Sequence, residues 1–288
     1  MKEIKLLDCT LRDGGFVNDW EFGYGNIINI FERLISSGVD VLEIGFLDDR
    51  RPFDKNRTIM PDTKSADDIF GRLDKGNAMI VAMIDYGTCR IENLAPCAES
   101  FIDGIRVIFK KHVMKEAIAY CREVKQLGYQ VYVQAVSITS YSDREILDLI
   151  ELVNELNPYA LSIVDTYGLL HQENLMHYFE LFNHNLNREI GIGYHSHNNF
   201  QLAYSNSIEV LRETADRRVL IDASLYGMGK SAGNLPLELI SMYMNTSCGR
   251  NFNTAQMLEA IDINIMPFFR KSPWGYNLFF YKIGRAHV

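Results

Sequence analysis

Ile4-Lys5-Leu6-Leu7-Asp8-Cys9-Thr10-Leu11-Arg12-Asp13-Gly14-Gly15 decides how this chain is read. An apolar, strand-like start gives way to an arginine and an aspartate side by side and then to two glycines, so charge is placed where a strand meets a loop. The same arrangement returns about 180 residues later, where another apolar run closes on His195-Ser196-His197-Asn198-Asn199.

Working outward, β-branched apolar runs recur along the whole chain with helical patterns between them. The runs are Lys5–Thr10, Val41–Phe46, Met79–Ile84, Ile105–Phe109, Val131–Val136, Leu161–Val164, Ile190–Tyr194 and Val219–Ser224. Ile27, Ile30, Phe31 and Leu34 repeat at helical spacing, and Gly38 follows where a left-handed cap is needed. Ile146, Leu149, Ile150, Val153 and Leu156 do the same behind a Ser142-x-x-Glu145 capping box, with Pro158 as the stop. Eight strands, each followed by a helix, predict an α/β fold of the (β/α)8 TIM-barrel kind over residues 1–250. A doubly wound sheet would need fewer strands or a second domain, and no Pro/Gly/Ser linker marks one. The aromatic-rich segment around Pro273-Trp274-Gly275-Tyr276 reads as the start of a helical extension, 251–282, cut short here. Residues 283–288 read as a non-native tail.

The chain has 288 residues, a net charge of -8 and no Lys/Arg-rich block, which argues against nucleic acid or an anionic membrane surface as the main partner. No run of eighteen apolar residues or signal-peptide pattern is present, so a cytoplasmic location is expected. Five cysteines, scattered without a C-x-x-C, read as reduced thiols.

In a barrel of this kind the C-terminal strand ends converge on one face. Asp13, Glu43, Asp85, Asp165-Thr166 and the two histidines are all expected at such ends. Residues two apart on an extended segment share a side, so His195 and His197 point together as a metal chelate or as a hydrogen-bonded pair. Asp13 would add an anionic oxygen and Asn234 a neutral one. Two nitrogens and two oxygens without thiolate suit a divalent metal, Mn, Mg, Co or Zn, with room for substrate. Arg12 is placed to meet a developing oxyanion, or else to form a salt bridge with Glu43 or Asp165. Glu43 would orient Arg12, and Asp165 would support the site or act as acid/base. Gly227-Met228-Gly229-Lys230-Ser231-Ala232-Gly233-Asn234 lacks P-loop and dinucleotide spacing, leaving either a purely structural turn or a loop whose Gly227 and Gly229 backbone could approach a substrate anion, with Thr166 as a further substrate contact.

Asp8-Cys9-Thr10-Leu11-Arg12-Asp13-Gly14, His195-Ser196-His197-Asn198 and Gly229-Lys230-Ser231-Ala232-Gly233-Asn234 together resemble the DRE-TIM metallolyase superfamily, over roughly residues 4 to 247. That group includes 4-hydroxy-2-oxovalerate aldolase, hydroxymethylglutaryl-CoA lyase, and isopropylmalate and homocitrate synthases. The resemblance implies a divalent metal, Mn or Mg first, held by Asp13, His195 and His197, with Asn234 as a ligand in some members. It also implies that Arg12 stabilises an enolate.

Departures from the family pattern bear on the activity. The loop from Gly227 to Asn234 lacks the catalytic cysteine of hydroxymethylglutaryl-CoA lyases. Phe16 stands where the aldolases carry a histidine base, and Gly15-Phe16 replaces the Glu-Gln of the synthases. The implied activity is a metal-dependent aldolase on a small 2-oxo acid. The alternatives are an acyl-CoA-dependent condensing acyltransferase and a non-catalytic barrel serving as a partner module. A homodimer or an aldehyde dehydrogenase partner would be in keeping with the group.

Overall fold

Strands covered by helices outside and by side chains inside are buried on both faces, so they need nearly continuous apolar sequence. Eight segments meet that requirement and close into a ring. The computed structural model describes residues 3–213, 217–276 and 278–279. Its strands are β1 (Glu3–Asp8), β2 (Val41–Leu47), β3 (Ile59–Met60), β4 (Met79–Asp85), β5 (Gly104–Phe109), β6 (Gln130–Ala135), β7 (Ala160–Asp165), β8 (Gly191–Ser196) and β9 (Arg218–Ala223). Every pairing between them is parallel. β1 pairs with β9 on one side and β2 on the other, which closes an eight-stranded barrel. The two-residue β3 lies outside that ring against the end of β2.

The crossover helices form as the periodicity predicts. Ile27, Ile30, Phe31 and Leu34 are buried in the helix Tyr24–Ser37, which ends on Gly38 at φ 81°. The helix Asp143–Leu156 opens with both hydrogen bonds of the Ser142/Glu145 capping box. One expectation fails. Among the described residues the β4–β5 crossover has only the 3-10 turns Ile91–Asn93 and Cys97–Glu99, not a helix. Pro96 lies between them and cannot donate a backbone hydrogen bond.

The barrel interior is layered. Leu7, Val41, Val81, Tyr132, Ala160 and Leu220 form an apolar floor. Polar side chains, Glu43, Arg106, Gln134, Ser162 and Asp222, are buried with them inside the barrel. Glu43 is therefore an interior residue, third of seven in β2, not a strand-end residue. A register shift between Glu43 and Phe46 then re-aims β2 so that Phe46 reaches the mouth. Gly45 permits the shift: its φ is 146°, and a Cβ there would lie 1.9 Å from the Thr58 carbonyl oxygen.

Beyond residue 250 the chain is helical over Thr254–Ala260, a π turn at Ile261–Ile265, and Met266–Lys271. This run packs on the helix Tyr24–Ser37, through Arg33 to Gln256 at 2.9 Å and Asn264 to Asn26 at 2.9 Å. The expected non-native tail, 283–288, lies outside the described residues. All five cysteines are free thiols. No helix among the described residues is long and apolar enough to cross a membrane.

Candidate metal centre

β8 brings His195 to the barrel mouth, and His197 follows just past its end. Their rings lie 5.1 Å apart, centroid to centroid. Asp13 arrives from the short helix Thr10–Asp13 that follows β1. One ligand atom each from Asp13, His195 and His197 lie within 4.8 Å of one another, and all three residues are buried. His197 Nε2 is 3.9 Å from Asp13 Oδ2. Burial pushes the His197 imidazole down to about 4 despite the nearby carboxylate, so it is neutral and able to ligate at pH 7. For Asp13 burial acts upward, but Arg12, His197 and His195 prevail and hold it well below the usual carboxylate range.

A chain of buried charge runs beneath these three residues. Arg12 donates from Nε to Glu43 at 2.7 Å and from Nη1 to Asp13 at 2.7 Å. Among the described residues its Nη2 has no partner. Trp20 Nε1 donates to the Arg12 carbonyl at 2.7 Å and fixes that backbone. Arg106, 1% exposed, pairs with Glu43 at 3.0 Å and with Asp222. Asp222 Oδ2 lies 3.1 Å from His195 Nδ1, which orients that ring and turns Nε2 the other way. Burial disfavours charge on Arg106, yet Asp222 and Glu43 outweigh it and raise its pKa.

The residues present fit a divalent cation. Asp13 Oδ2 and Asn234 Oδ1 are buried without a hydrogen-bond partner among the described residues. Buried donors and acceptors left this way are costly unless something satisfies them. The three interior carboxylates Asp13, Glu43 and Asp222 also outnumber the two guanidiniums, so a cation offsets uncompensated charge. The donor set is two imidazoles, a carboxylate and an amide oxygen, without sulfur, which suits an open site rather than a closed structural one.

Asn234 is held beside the histidines by a backbone bridge to His197. Gly229 makes room for it, since a Cβ there would sit 2.4 Å from Asn234 Nδ2. Gly227 and Gly229 are not among the residues facing the cavity; the loop reaches it through Lys230. Asp165 is not brought into the site either. Its carboxylate accepts from the backbone N–H of Leu169 at 3.0 Å and Leu170 at 3.1 Å, organising the loop after β7, and burial pushes it up to about 6. Ser162, Val164 and Thr166 take the inward positions of that segment, and Thr166 does line the cavity. Asp222 and Arg106 escape sequence reasoning, although each is a lone charge inside an apolar run.

The cavity above the cluster measures about 250 Å³. Arg12, Asp13, His195 and His197 form its inner end, Met83, Ile108, Val136 and Val164 its walls, and Asp85, Lys110 and Lys230 also face it. Phe16 closes one side, stacked edge-on against Trp20 at 4.8 Å. It presents no proton-transfer group.

A closed parallel barrel with two histidines, a carboxylate and a buried arginine at the C-terminal ends of its strands defines the class, a TIM barrel carrying a candidate metal site. The chain belongs to the HMGL-like, or DRE-TIM, family, whose model matches residues 3–263. This family is made of lyases and related enzymes. An oxaloacetate decarboxylase of Mycobacterium tuberculosis is 23% identical over 241 residues, 83% of this chain and 69% of that protein. A 4-hydroxy-2-oxovalerate aldolase of Pelotomaculum thermopropionicum is 24% identical over 243 residues, again 83% and 69%. The N-terminal domain of a Bacteroides vulgatus protein, provisionally named an aldolase, superposes with a TM-score of 0.79 at 23% identity, covering 99% of this chain and 93% of that one. Relatives also include 2-isopropylmalate synthases.

Proposed function

We propose that this protein is a divalent-metal-dependent carbon–carbon lyase of the aldolase type, acting on a small 2-oxo acid with Mn or Mg. The observation that carries the reading is the buried cluster of Asp13, His195 and His197, whose ligand atoms lie within 4.8 Å of one another with Asp13 Oδ2 unpartnered, beside Arg12 in a small cavity. Asp13, His195, His197 and Asn234 would hold the cation, which supplies Lewis-acid polarisation of the substrate's carboxylate and keto oxygens. When the substrate's C3–C4 bond breaks, C4 leaves as an aldehyde whose hydroxyl proton passes to water, the electron pair stays on C3 as an enolate, and a proton from water then returns to C3. Arg12 faces that charge with Nη2 while Glu43 and Asp13 lock its other nitrogens, so no reorganisation is needed as charge develops. Asp222 keeps His195 in one orientation, and Arg106 keeps Asp222 ionised. A cavity of about 250 Å³ is at the small end for ligand sites and favours a short acid over a bulky one.

Proton NMR of pyruvate in heavy water tests the reading. Methyl-proton exchange that depends on Mn and stops with a chelator is the expected result. Absence of exchange in metal-loaded protein, with release of free CoA from acetyl-CoA and an oxo acid, would replace the aldolase reading with the condensing one.

A further inference from the structure

The cavity has a second charged end. Lys110 follows β5 and Lys230 lies in the loop after β9, and both line the space that Arg12 and the histidines close from below. Lys230 Nζ is held 5.3 Å over the Phe16 ring. Neither ammonium has an ion-pair partner among the described residues. Arg50, near the same rim, is already spent on Asp48 through two hydrogen bonds of 2.8 and 2.6 Å. Asp85 shares the lining with the two lysines; burial pushes its carboxyl up while Lys110, Arg50 and Lys230 pull it down, and its single charge can offset only one of the two ammoniums. The rest of the lining is mostly apolar, Phe46, Met83, Ile108, Val136 and Val164, with Gln134 and Thr166 as its uncharged polar groups. A ligand matching this lining carries a second anionic group beside the one held next to Arg12 and the histidines.

We propose that the substrate is a 2-oxo acid with a second, distal anionic group, a carboxylate or a phosphate, and that Lys110 and Lys230 are the residues that select it. This rests on the reading of the inner end as a 2-oxo acid site. Lysines offer compact point charges without the planar fork that would demand one geometry, so they accept either anion.

Equilibrium calorimetry on the Mn-loaded protein tests the proposal with a matched set of five-carbon-scale probes. 2-Oxovalerate carries no distal charge, 2-oxoglutarate carries a carboxylate, and 2-oxo-4-phosphonobutyrate carries a phosphonate. At least one doubly anionic probe is expected to bind about tenfold tighter than 2-oxovalerate, the scale of two partly exposed ion pairs, and the margin shrinks with added salt. Whichever is tighter names the distal group. In Lys110→Met/Lys230→Met the ratio falls to near one, and in Lys110→Arg/Lys230→Arg it persists. A ratio near one in the wild type, or a ratio that survives the double methionine variant, overturns the proposal. If oxalate and pyruvate also fail to bind the metal-loaded protein, the 2-oxo acid reading itself falls; if they bind and only the preference is missing, the distal site alone falls.

Discussion

Replacing Asp222 by asparagine keeps the shape of the side chain and removes its charge. In the structure Asp222 Oδ2 serves both His195 Nδ1, at 3.1 Å, and Arg106. Asparagine offers one carbonyl oxygen for these two donors, and its NH2 group can satisfy neither. A charge-assisted bond of about 1.5–3 kcal/mol becomes at best a neutral one of about 1 kcal/mol. A loss of about 1.4 kcal/mol at the imidazole is tenfold in metal affinity, within the roughly 10–100-fold seen when the partner of a ligating histidine is removed. Arg106 is left with Glu43 as its one carboxylate, beside the neutral Gln134 Oε1 at 3.3 Å, so unfolding stability falls by about 3 kcal/mol as well. Mn titration followed by the paramagnetic signal of free metal, on Asp222→Asn shown to be folded by circular dichroism, reads the first effect apart from the second. A dissociation constant within about twofold of wild type would refute the role given to Asp222.

Two other perturbations probe neighbouring parts of the site. Arg12→Met should lower metal-dependent pyruvate exchange by about 10²–10³-fold while the protein still binds Mn, because a single preorganised donor to an oxyanion is worth about that much; equal exchange in variant and wild type would remove Arg12 from the reaction. Metal-free protein should lose stability on acidification through His197. The unfolded chain takes a proton near 6.5, whereas the native imidazole refuses it until about 4, so the contribution is present above 6.5 and lost as pH falls toward 4, about 3 kcal/mol in all. Asp165 and Asp8, raised by burial to about 6 and about 7, slope the opposite way. The measurement is therefore the difference in urea-unfolding free energy between wild type and His197→Gln across that range, and a flat difference would contradict it.

The barrel was legible because parallel strands buried on both faces must be apolar throughout, and eight such runs stand out of the sequence. The two residues of β3 are too few to make a run, and the β4–β5 crossover lacks the 3.6-residue period that a helix would need. Asp13, His195, His197 and Arg12 could be found because each sits where a strand ends. Asp165 shares that position in sequence but faces the other way. Counting by twos from Ser162 puts Val164 and Thr166 inward and Asp165 outward, a difference of parity that position at a strand end does not reveal. Arg106 and Asp222 were hidden for a different reason. Each is a single charge in an apolar strand, and that they meet across the barrel follows only from the closed ring.

Asp13, His195 and His197 are proposed to hold a divalent cation at the barrel mouth. Elemental analysis and Mn titration of wild type beside Asp13→Ala test it most directly. One divalent ion per chain is expected in the wild type and none retained after gel filtration of the variant, with both proteins folded. A wild type that binds no divalent metal, or an Asp13→Ala variant that binds it as tightly, would contradict it.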